Sequence, residues 1–287
     1  YEGICECIEL QNVGSNIVTG GLHTFGLRTG HDLVAQGFRT YLFKQPHTRL
    51  QLKKIATGIS VYSVSKNNLS QINILLPPLN EQKAIARILS TWDEAIRLTQ
   101  VLIAQKELQK KWLMQVLLTG KKRLKGFEGK WREVQIRNIA KEISNRNKDN
   151  KQLTVLSCTK HDGLVPSLDY FGRKIYSDDI STYKIVPKGH FAYATNHIEE
   201  GSLGFQGSYE EALISPMYTV FRTDKSVNTS FLLKLLKSHA LMYQYQNRME
   251  GSIDRRGGLR WDAFSIIKIS MPTYEEQSAI ASAIEYA

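Results

Sequence analysis

The chain has 287 residues, enough for about two domains with buried cores. It contains no apolar run of about eighteen residues, so the sequence predicts no membrane-spanning helix. The formal net charge of +11 favours a polyanionic partner, although many basic proteins never bind nucleic acid. Cys5, Cys7 and Cys158 match neither a disulfide framework nor a zinc-binding pattern, which favours buried thiols in a reducing cytoplasm.

The first 75 residues are predicted to form short strands and turns, because glycines interrupt them too often for long helices. The stretch GFRTYLF (37–43) alternates and is rich in aromatic residues, which predicts a strand. Residues 46–58 predict a short helix that ends at Gly58. Residues 72–77 predict a last strand before a long helix.

The longest predicted element is a helix that begins after Pro77-Pro78 and ends at Thr119-Gly120. Asn80 is its predicted N-cap. A helix of about forty residues exceeds the usual globular length, so we expect it to pack along another long helix. On periodicity alone, an ordinary long helix in an all-α domain is the alternative. The predicted helix–helix seam comprises Ile85, Leu89, Trp92, Ile96, Ile103, Leu113 and Leu117.

The residues after this helix are predicted to form an α+β domain. A basic block at 119–151 leads into it, and such a run is most often a solvated surface. Strands are predicted at 153–160, at 212–224 and on both sides of a turn in 178–197. Residues 228–249 predict one helix, and a final strand precedes Pro272.

An internal repeat divides the chain. Residues 72–89, INILLPPLNEQKAIARIL, recur as IIKISMPTYEEQSAIASAI at 266–284. Glu81-Gln82 corresponds to Glu276-Gln277, and Thr273 with Glu276 forms a predicted capping box in the second copy. A spacing of about 195 residues is too long for a solenoid and indicates two globular units, each followed by a helix.

The run from E-Q into I-L-S-T-W-D-E-A-I, followed by L-L-T-G-K-K-R-L-x-G-F-x-G-x-W, resembles the DNA specificity subunit of type I restriction-modification systems. The resemblance implies an α+β fold, in which recognition domains of mixed strands and short helices are joined by long helices forming an antiparallel, coiled-coil-like rod. It assigns 1–76 to the later part of a first target-recognition domain and 77–120 to a central conserved helix. It assigns 121–271 to a second recognition domain and 272–287 to the start of a distal conserved helix, so the chain is expected to be a fragment.

The resemblance also implies a non-catalytic, cytoplasmic subunit that binds double-stranded DNA. Each recognition domain would read half of a bipartite target, and the rod would set the gap between the halves. The rod would also hold methyltransferase (modification) subunits and a restriction/translocase subunit. S-adenosylmethionine, ATP and Mg²⁺ are expected on those partner subunits, and no cofactor or metal is expected in this chain.

The candidate DNA-binding residues lie in predicted loops, where binding residues concentrate. Arg and Lys suit guanine and Asn suits adenine through paired hydrogen bonds in the major groove. The Arg-Arg-Gly-Gly loop is the preferred candidate, and for every loop a solvated turn is the alternative. The family resemblance adds Ser60, Tyr62 and Lys66 in the first domain. The candidates in the second domain are Lys160, His161, Arg173, Lys174, Asn196, His197, Arg255, Arg256 and Arg260.

The motifs of common DNA-modifying enzymes do not occur in the sequence. It has no Asn-Pro or Asp-Pro dipeptide, which an amino-methyltransferase motif would require, and no phosphate-binding loop for ATP. The competing interpretation is a non-catalytic coiled-coil adaptor that binds proteins, or nucleic acid without base preference. A protein that binds single-stranded nucleic acid or RNA would need exposed aromatic residues for stacking, and Tyr170, Phe171, Tyr243 and Tyr245 do not exclude it.

Overall fold

The computed structural model describes residues 3–11, 14–30, 32–58, 62–249 and 258–287. The chain divides into two compact units, Tyr1–Ala104 (unit 1) and Gln105–Ala287 (unit 2). Its mixture of helices and short strands confirms the predicted α+β class. Within the described ranges, no helix is long and apolar enough to span a bilayer.

Unit 1 is helical in its described part. It contains α1 (Arg39–Leu42), α2 (Pro46–Ile55), α3 (Lys66–Leu69) and the first part of α4 (Leu79–Leu117). α2 confirms the helix predicted at 46–58, and Pro46 stands in its first turn, where no amide hydrogen bond is lost. The small core of this unit consists of Val34, Ala35, Phe38, Leu42 and Ala86.

Both strands predicted in unit 1 are wrong. Residues 37–43 contain α1, because Phe38 and Leu42 are four residues apart and one helical side buries both. Residues 72–77 belong to no sheet in the described chain, and Leu75 and Leu76 are exposed. An alternating pattern does not make a strand unless a neighbouring strand satisfies its backbone groups.

The long helix α4 begins and ends close to its predicted bounds. The Pro78 carbonyl accepts a hydrogen bond from the Gln82 amide at 3.0 Å, so Asn80 lies in the first turn and does not cap the helix. After Leu117, Gly120 adopts a φ of +68°, the left-handed conformation that commonly ends helices. The predicted glycine stop is therefore confirmed, and the predicted N-cap is wrong.

The predicted seam of α4 is not formed within the described chain. Trp92 is 65% exposed, and Ile85, Leu89, Ile96 and Ile103 are exposed as well. Leu113 and Leu117 instead pack into the main core of unit 2. The seven residues therefore do not share one interface here, because the neighbours of α4 change along its length.

Unit 2 contains two four-stranded sheets and a separate strand pair. The pair joins β1 (Arg132–Gln135) to β10 (Lys268–Met271) in antiparallel register. The first sheet has the order β2-β9-β6-β7 and is antiparallel throughout. Its strands are β2 (Ala140–Ile143), β6 (His190–Ala194), β7 (Leu203–Gln206) and β9 (Tyr218–Thr223).

The second sheet has the order β4-β3-β8-β5, in which β3 and β8 are parallel. Its strands are β3 (Val155–Thr159), β4 (Gly163–Pro166), β5 (Lys184–Pro187) and β8 (Glu211–Ile214). The strands predicted at 153–160 and 178–197 are confirmed. The single strand predicted at 212–224 is wrong, because Pro216, which has no amide hydrogen, lies in the break between β8 and β9. The chain passes between the two sheets at this break, and also between β2 and β3, between β5 and β6, and between β7 and β8.

Helices complete unit 2 around an aromatic core. They are α5 (Ser167–Phe171), α6 (Thr229–Leu236), α7 (His239–Met249), α8 (Trp261–Ser265) and α9 (Tyr274–Glu285). The single helix predicted at 228–249 is interrupted at Lys237 and Ser238, which separate α6 from α7. The apolar side of α6, formed by Phe231, Leu232, Leu235 and Leu236, is buried with Phe191, Phe221 and Phe264.

A buried glutamine makes the same contacts at the start of α4 and of α9. Gln82 Nε2 donates to the carbonyls of Pro77 and Leu33, at 2.8 and 3.1 Å, and Gln82 Oε1 accepts from the Ala35 amide at 2.9 Å. Gln277 Nε2 likewise donates to the carbonyls of Pro272 and Ser226, at 3.0 and 3.2 Å, and Gln277 Oε1 accepts from the Asn228 amide at 2.8 Å. Each glutamine thus fixes the segment that leads into a helix, α1 in unit 1 and α6 in unit 2.

The glutamine contacts show that the repeat extends beyond the segments recognised in the sequence. When the two segments are aligned on the amides that Gln82 and Gln277 bind, Val34 corresponds to Val227, Phe38 to Phe231 and Leu42 to Leu235. All six side chains are buried. α1 therefore corresponds to the start of α6, a relation that the sequence did not reveal because few residues are identical.

The capping box predicted at the start of α9 is half formed. Thr273 Oγ1 accepts from the Glu276 amide at 3.4 Å. The Glu276 carboxylate does not return to the cap. It accepts two hydrogen bonds from the Arg123 guanidinium, at 2.5 and 2.6 Å, and one from the Trp131 indole at 3.2 Å. Two strong donors outweigh one local amide, because a buried carboxylate requires compensation of its charge.

The three cysteines are free and partly buried. Burial raises the pKa of the Cys158 thiol to about 12 and also raises the pKa values of Cys5 and Cys7. These thiols are therefore protonated near neutral pH and poor nucleophiles. The arrangement agrees with the predicted structural role.

Candidate nucleic-acid interface

The turn between β3 and β4 presents two of the predicted DNA-binding residues. Lys160 and His161 are exposed there, and Thr159 Oγ1 holds the turn by accepting from the Asp162 amide at 2.9 Å. Gly163 begins β4 with a φ of +70°, which lets the chain reverse within a few residues. The turn therefore presents both side chains on a short loop whose backbone is supported by a hydrogen bond.

The loop after β6 and the segment before α8 are joined directly. The Leu259 amide donates to the Thr195 carbonyl at 2.7 Å. A Cβ on Gly258 would lie 2.8 Å from the Thr195 carbonyl carbon, so glycine is required by the close approach of the two backbones. The contact brings Asn196 and His197 close to Arg260, although 63 residues separate His197 from Arg260 in the sequence.

Further contacts connect this pair of loops to the β3–β4 turn. Gly201 ends the turn after His197, and a Cβ placed there would meet the Lys160 carbonyl at 3.7 Å. On the other side of the β3–β4 turn, the Tyr170 hydroxyl donates to Asp162 at 3.1 Å. The structure thus brings predicted residues from three loops to one edge of unit 2, which we call the loop edge: Lys160, His161, Asn196, His197 and Arg260.

Arg173 and Lys174 follow α5, where Gly172 ends the helix with a left-handed conformation. Lys174 forms an ion pair with Asp178 and lies 5.2 Å from the Tyr176 ring centroid. The hydrogen bond to Asp178 raises the pKa of Lys174. Because Lys174 already has a carboxylate partner, Arg173 is the better candidate of the two for a contact with DNA.

Several predicted residues have no described position or lie elsewhere. Ser60, Arg255 and Arg256 lie outside the described residues. Tyr62 and Lys66 belong to unit 1, where Tyr62 is partly buried and Lys66 begins α3 at the surface. Ser65 caps α3 by accepting from the Asn68 amide at 3.1 Å.

One group on the loop edge has the composition of a metal site. His197, Glu199 and Glu200 offer ligand atoms within 4.8 Å of one another. His197 and Glu200 are exposed, and His197 Nδ1 already lies 3.5 Å from Glu200 Oε1. Exposed acidic groups of this kind often occur without a metal, so we assign none. The expectation that this chain has no metal or cofactor stays a prediction.

Two lysines next to the loop edge were not identified from the sequence. Lys234 and Lys237 lie at the end of α6, three residues apart, and line an open groove together with Lys160 and His161. The spacing in the run LLKLLK was the available signal, because residues three apart lie on the same side of a helix. The apolar side of the same helix explains this run without a binding role.

Comparison with known proteins identifies one family. The profile of the "Type I restriction modification DNA specificity domain" matches residues 21–108. A curated relative, the putative type I restriction enzyme MjaX specificity subunit of Methanocaldococcus jannaschii, is 34% identical over 100 residues. That alignment covers 35% of this chain and 23% of the relative, so the chain corresponds to a limited part of its length.

Solved structures share the fold at low sequence identity. The HsdS subunit of Thermoanaerobacter tengcongensis is 20% identical with a TM-score of 0.52, and the alignment covers 87% of this chain and 61% of that one. The type I restriction-modification S subunit of M. genitalium is 15% identical with a TM-score of 0.54, with coverage of 90% and 67%. Residues 21–108 therefore match the DNA specificity domain family of type I restriction-modification systems, and the chain shares the fold of solved S subunits.

Proposed function

We propose that unit 2 is a target-recognition domain whose loop edge reads one half of a bipartite site in double-stranded DNA. The observation that supports this most directly is the junction between Thr195 and Leu259, which gathers basic and amide side chains from distant parts of the chain. Asn196 and Arg260 carry the donor and acceptor groups that suit adenine and guanine. The proposal includes a non-catalytic, cytoplasmic role.

The second half of the target is assigned to the domain of which unit 1 is a part. The repeated glutamine contacts support this, because the same framework precedes the helix in both units. S-adenosylmethionine, ATP and Mg²⁺ are proposed to belong to the methyltransferase and restriction/translocase subunits. A solved chain similar to this one, 18% identical with a TM-score of 0.52, comes from work on complex assembly of the type I restriction-modification system.

The exposed stripe of α4 is the proposed scaffold surface. Trp92 and Ile96 are more than half exposed, which is unusual for large apolar side chains arranged at helical spacing. We assign this stripe to packing against a second long helix in the assembled complex. The Trp92→Ala variant should then weaken assembly with the methyltransferase subunit, as measured by light scattering during gel filtration.

The test of DNA recognition is selection from randomised duplexes. The subunit bound to its methyltransferase would be used at a salt concentration of about 0.15 M, where non-specific phosphate binding is weakened. We expect enrichment of two short motifs at a fixed gap. If no motif is enriched and binding only weakens as the salt concentration rises, the chain would instead be an adaptor that binds proteins, or nucleic acid without base preference.

Single variants locate the reading surface within unit 2. Replacing Arg260 with Ala should relax one base position of one motif and cost roughly 1–3 kcal/mol against the correct base. Lys225→Ala is the matched control, because Lys225 is an exposed cation of the same unit outside the loop edge. Loss of both motifs together would indicate a folding defect, which thermal unfolding would detect.

A further inference from the structure

A basic groove lies beside the loop edge of unit 2. It has a volume of about 400 Å³, and its walls come from the β3–β4 turn and from the end of α6. Lys160 stands on the first wall, and Lys234 and Lys237 stand on the second. Phe205 and Leu233, both half-buried, contribute apolar surface to the lining.

The lysines of the groove are not neutralised by acidic partners. Among the described residues, no carboxylate forms an ion pair with Lys160, Lys234 or Lys237. Lys234 Nζ donates to Ser230 Oγ at 3.1 Å, and a hydroxyl does not neutralise its charge. Asp162 is the acidic residue of the lining, and its carboxylate accepts the Tyr170 hydroxyl. Three ammonium groups therefore face one carboxylate.

The surroundings of Lys237 favour an anionic ligand. Its side chain passes Gly201, where a Cβ would lie 3.8 Å from Lys237 Cε. Burial lowers the pKa of Lys237, an effect that the Asp162 carboxylate opposes. A partly desolvated ammonium without a paired carboxylate gains more from a bound anion than a fully hydrated one does.

We propose that this groove binds a phosphodiester of the DNA backbone and positions unit 2 on the duplex. The inference rests on the proposed function, because the groove adjoins the loop edge through Lys160 and Gly201. Lysines act as point charges with rotatable donors, which suits phosphate oxygens and carries no base preference. The apolar lining matches the deoxyribose next to the phosphate. Lys160 is thereby reassigned from base reading to backbone contact.

The test measures DNA affinity across salt concentrations for matched variants of the full chain. Fluorescence anisotropy would follow a duplex that carries the selected target and a scrambled duplex, between about 0.05 and 0.2 M salt. The variants are K234Q/K237Q and K160Q, with K225Q as the control outside the groove. K160Q keeps the test valid if the double variant is unstable, because Lys160 is exposed.

The expected result is a uniform loss of affinity. Each lost phosphate contact should reduce the slope of log affinity against log salt by about 0.9. Both duplexes should weaken by the same factor, so that their affinity ratio stays constant, while K225Q leaves the slope unchanged.

Two outcomes would overturn the inference. An unchanged slope would show that the groove does not touch DNA. Loss of target affinity alone would show base reading in place of backbone contact. By contrast, equal affinity of the unmodified chain for both duplexes would contradict the proposed function itself.

Discussion

The starts of α4 and α9 have closely similar sequences and similar local contacts, yet their helices are buried to different extents. Ile280 and Ile284 of α9 are 1% and 0% exposed, whereas Ile85 and Leu89 of α4 are both 37% exposed. The glutamine contacts are the same in both units. The comparison shows that a conserved local framework does not determine which side of the following helix is covered.

The difference in burial between the two helix starts comes from the segment that packs over the start of α9. In unit 2, Arg123 and Trp131 follow α4 and bind Glu276, and Leu117 and Leu118 join the core that contains Ile280. In unit 1, Glu81 is exposed, and no ion pair to it is formed by the described residues. Burial of the helix start therefore depends on a segment that is distant in sequence.

The largest expected difference between the two helices comes from truncating their matching isoleucines. Ile280→Ala should destabilise unit 2 by about 4 kcal/mol, because it removes a fully buried side chain and leaves a cavity. Ile85→Ala should cost less than about 1 kcal/mol, since Ile85 already contacts solvent. Hydrogen exchange of peptides from α9 and α4 would report each unit separately, and equal losses of protection would contradict the comparison.

Removing the acidic partner of Arg123 is expected to have the next largest effect. Glu276→Gln should destabilise unit 2 by about 3 kcal/mol, because the partly buried guanidinium loses its charged partner. Glu81→Gln is the matched control and should change stability by less than about 0.5 kcal/mol. Urea denaturation followed by hydrogen exchange, in α9 for Glu276→Gln and in the start of α4 for Glu81→Gln, would measure the two effects. A small loss of stability in Glu276→Gln would mean that water stabilises the charge of the Arg123 guanidinium in place of Glu276.

The two glutamine contacts should be equally sensitive to mutation. Gln82→Ala and Gln277→Ala should each cost about 2 kcal/mol, because each leaves backbone groups without a partner. Faster exchange of the Ala35 amide in the first variant, and of the Asn228 amide in the second, would identify the contact that is lost. Strongly unequal effects would mean that the glutamines play different roles despite their matching geometry.

The smallest effect is predicted for Trp92. Trp92→Ala should change the stability of this chain by less than about 0.5 kcal/mol, because Trp92 is mostly exposed. The measurement is the thermal unfolding midpoint of the chain alone, with Leu117→Ala as a buried control from the same helix. A large decrease in the unfolding midpoint of Trp92→Ala would indicate that Trp92 is buried in a helix–helix seam within this chain.

Local sequence patterns predicted the bounds of α4 and several strands of unit 2. Proline and glycine mark the ends of α4 through backbone geometry, and β-branched and aromatic residues mark β3, β5 and β6. The pattern failed at residues 37–43. The alternating aromatic residues there suggest a strand, but the four-residue spacing of Phe38 and Leu42 also fits one side of a short helix. Deciding between them requires knowledge of the core that Val34 and Ala86 complete.

The candidate site was predictable in its residue types and not in its arrangement. Loop positions and charges indicated Lys160, Asn196 and Arg260 individually. Their grouping depends on the Thr195–Leu259 hydrogen bond and on the close approach at Gly258, neither of which has a sequence pattern. Lys234 and Lys237 were missed because a lysine on a helix is ordinarily a solvated residue.

The sequence alone determined the long helix, the two glutamine-bearing helix starts, the basic character of unit 2 and the resemblance to a known family over part of the chain. These features follow from neighbouring residues, whose preferences act over one or two helical turns. The tertiary structure decided which helix faces are buried, how the chain divides between two sheets and which loops meet at one edge. Those outcomes depend on contacts such as Arg123 with Glu276, which are 153 residues apart, and burial of a charge is stable only when the fold brings its partner to it.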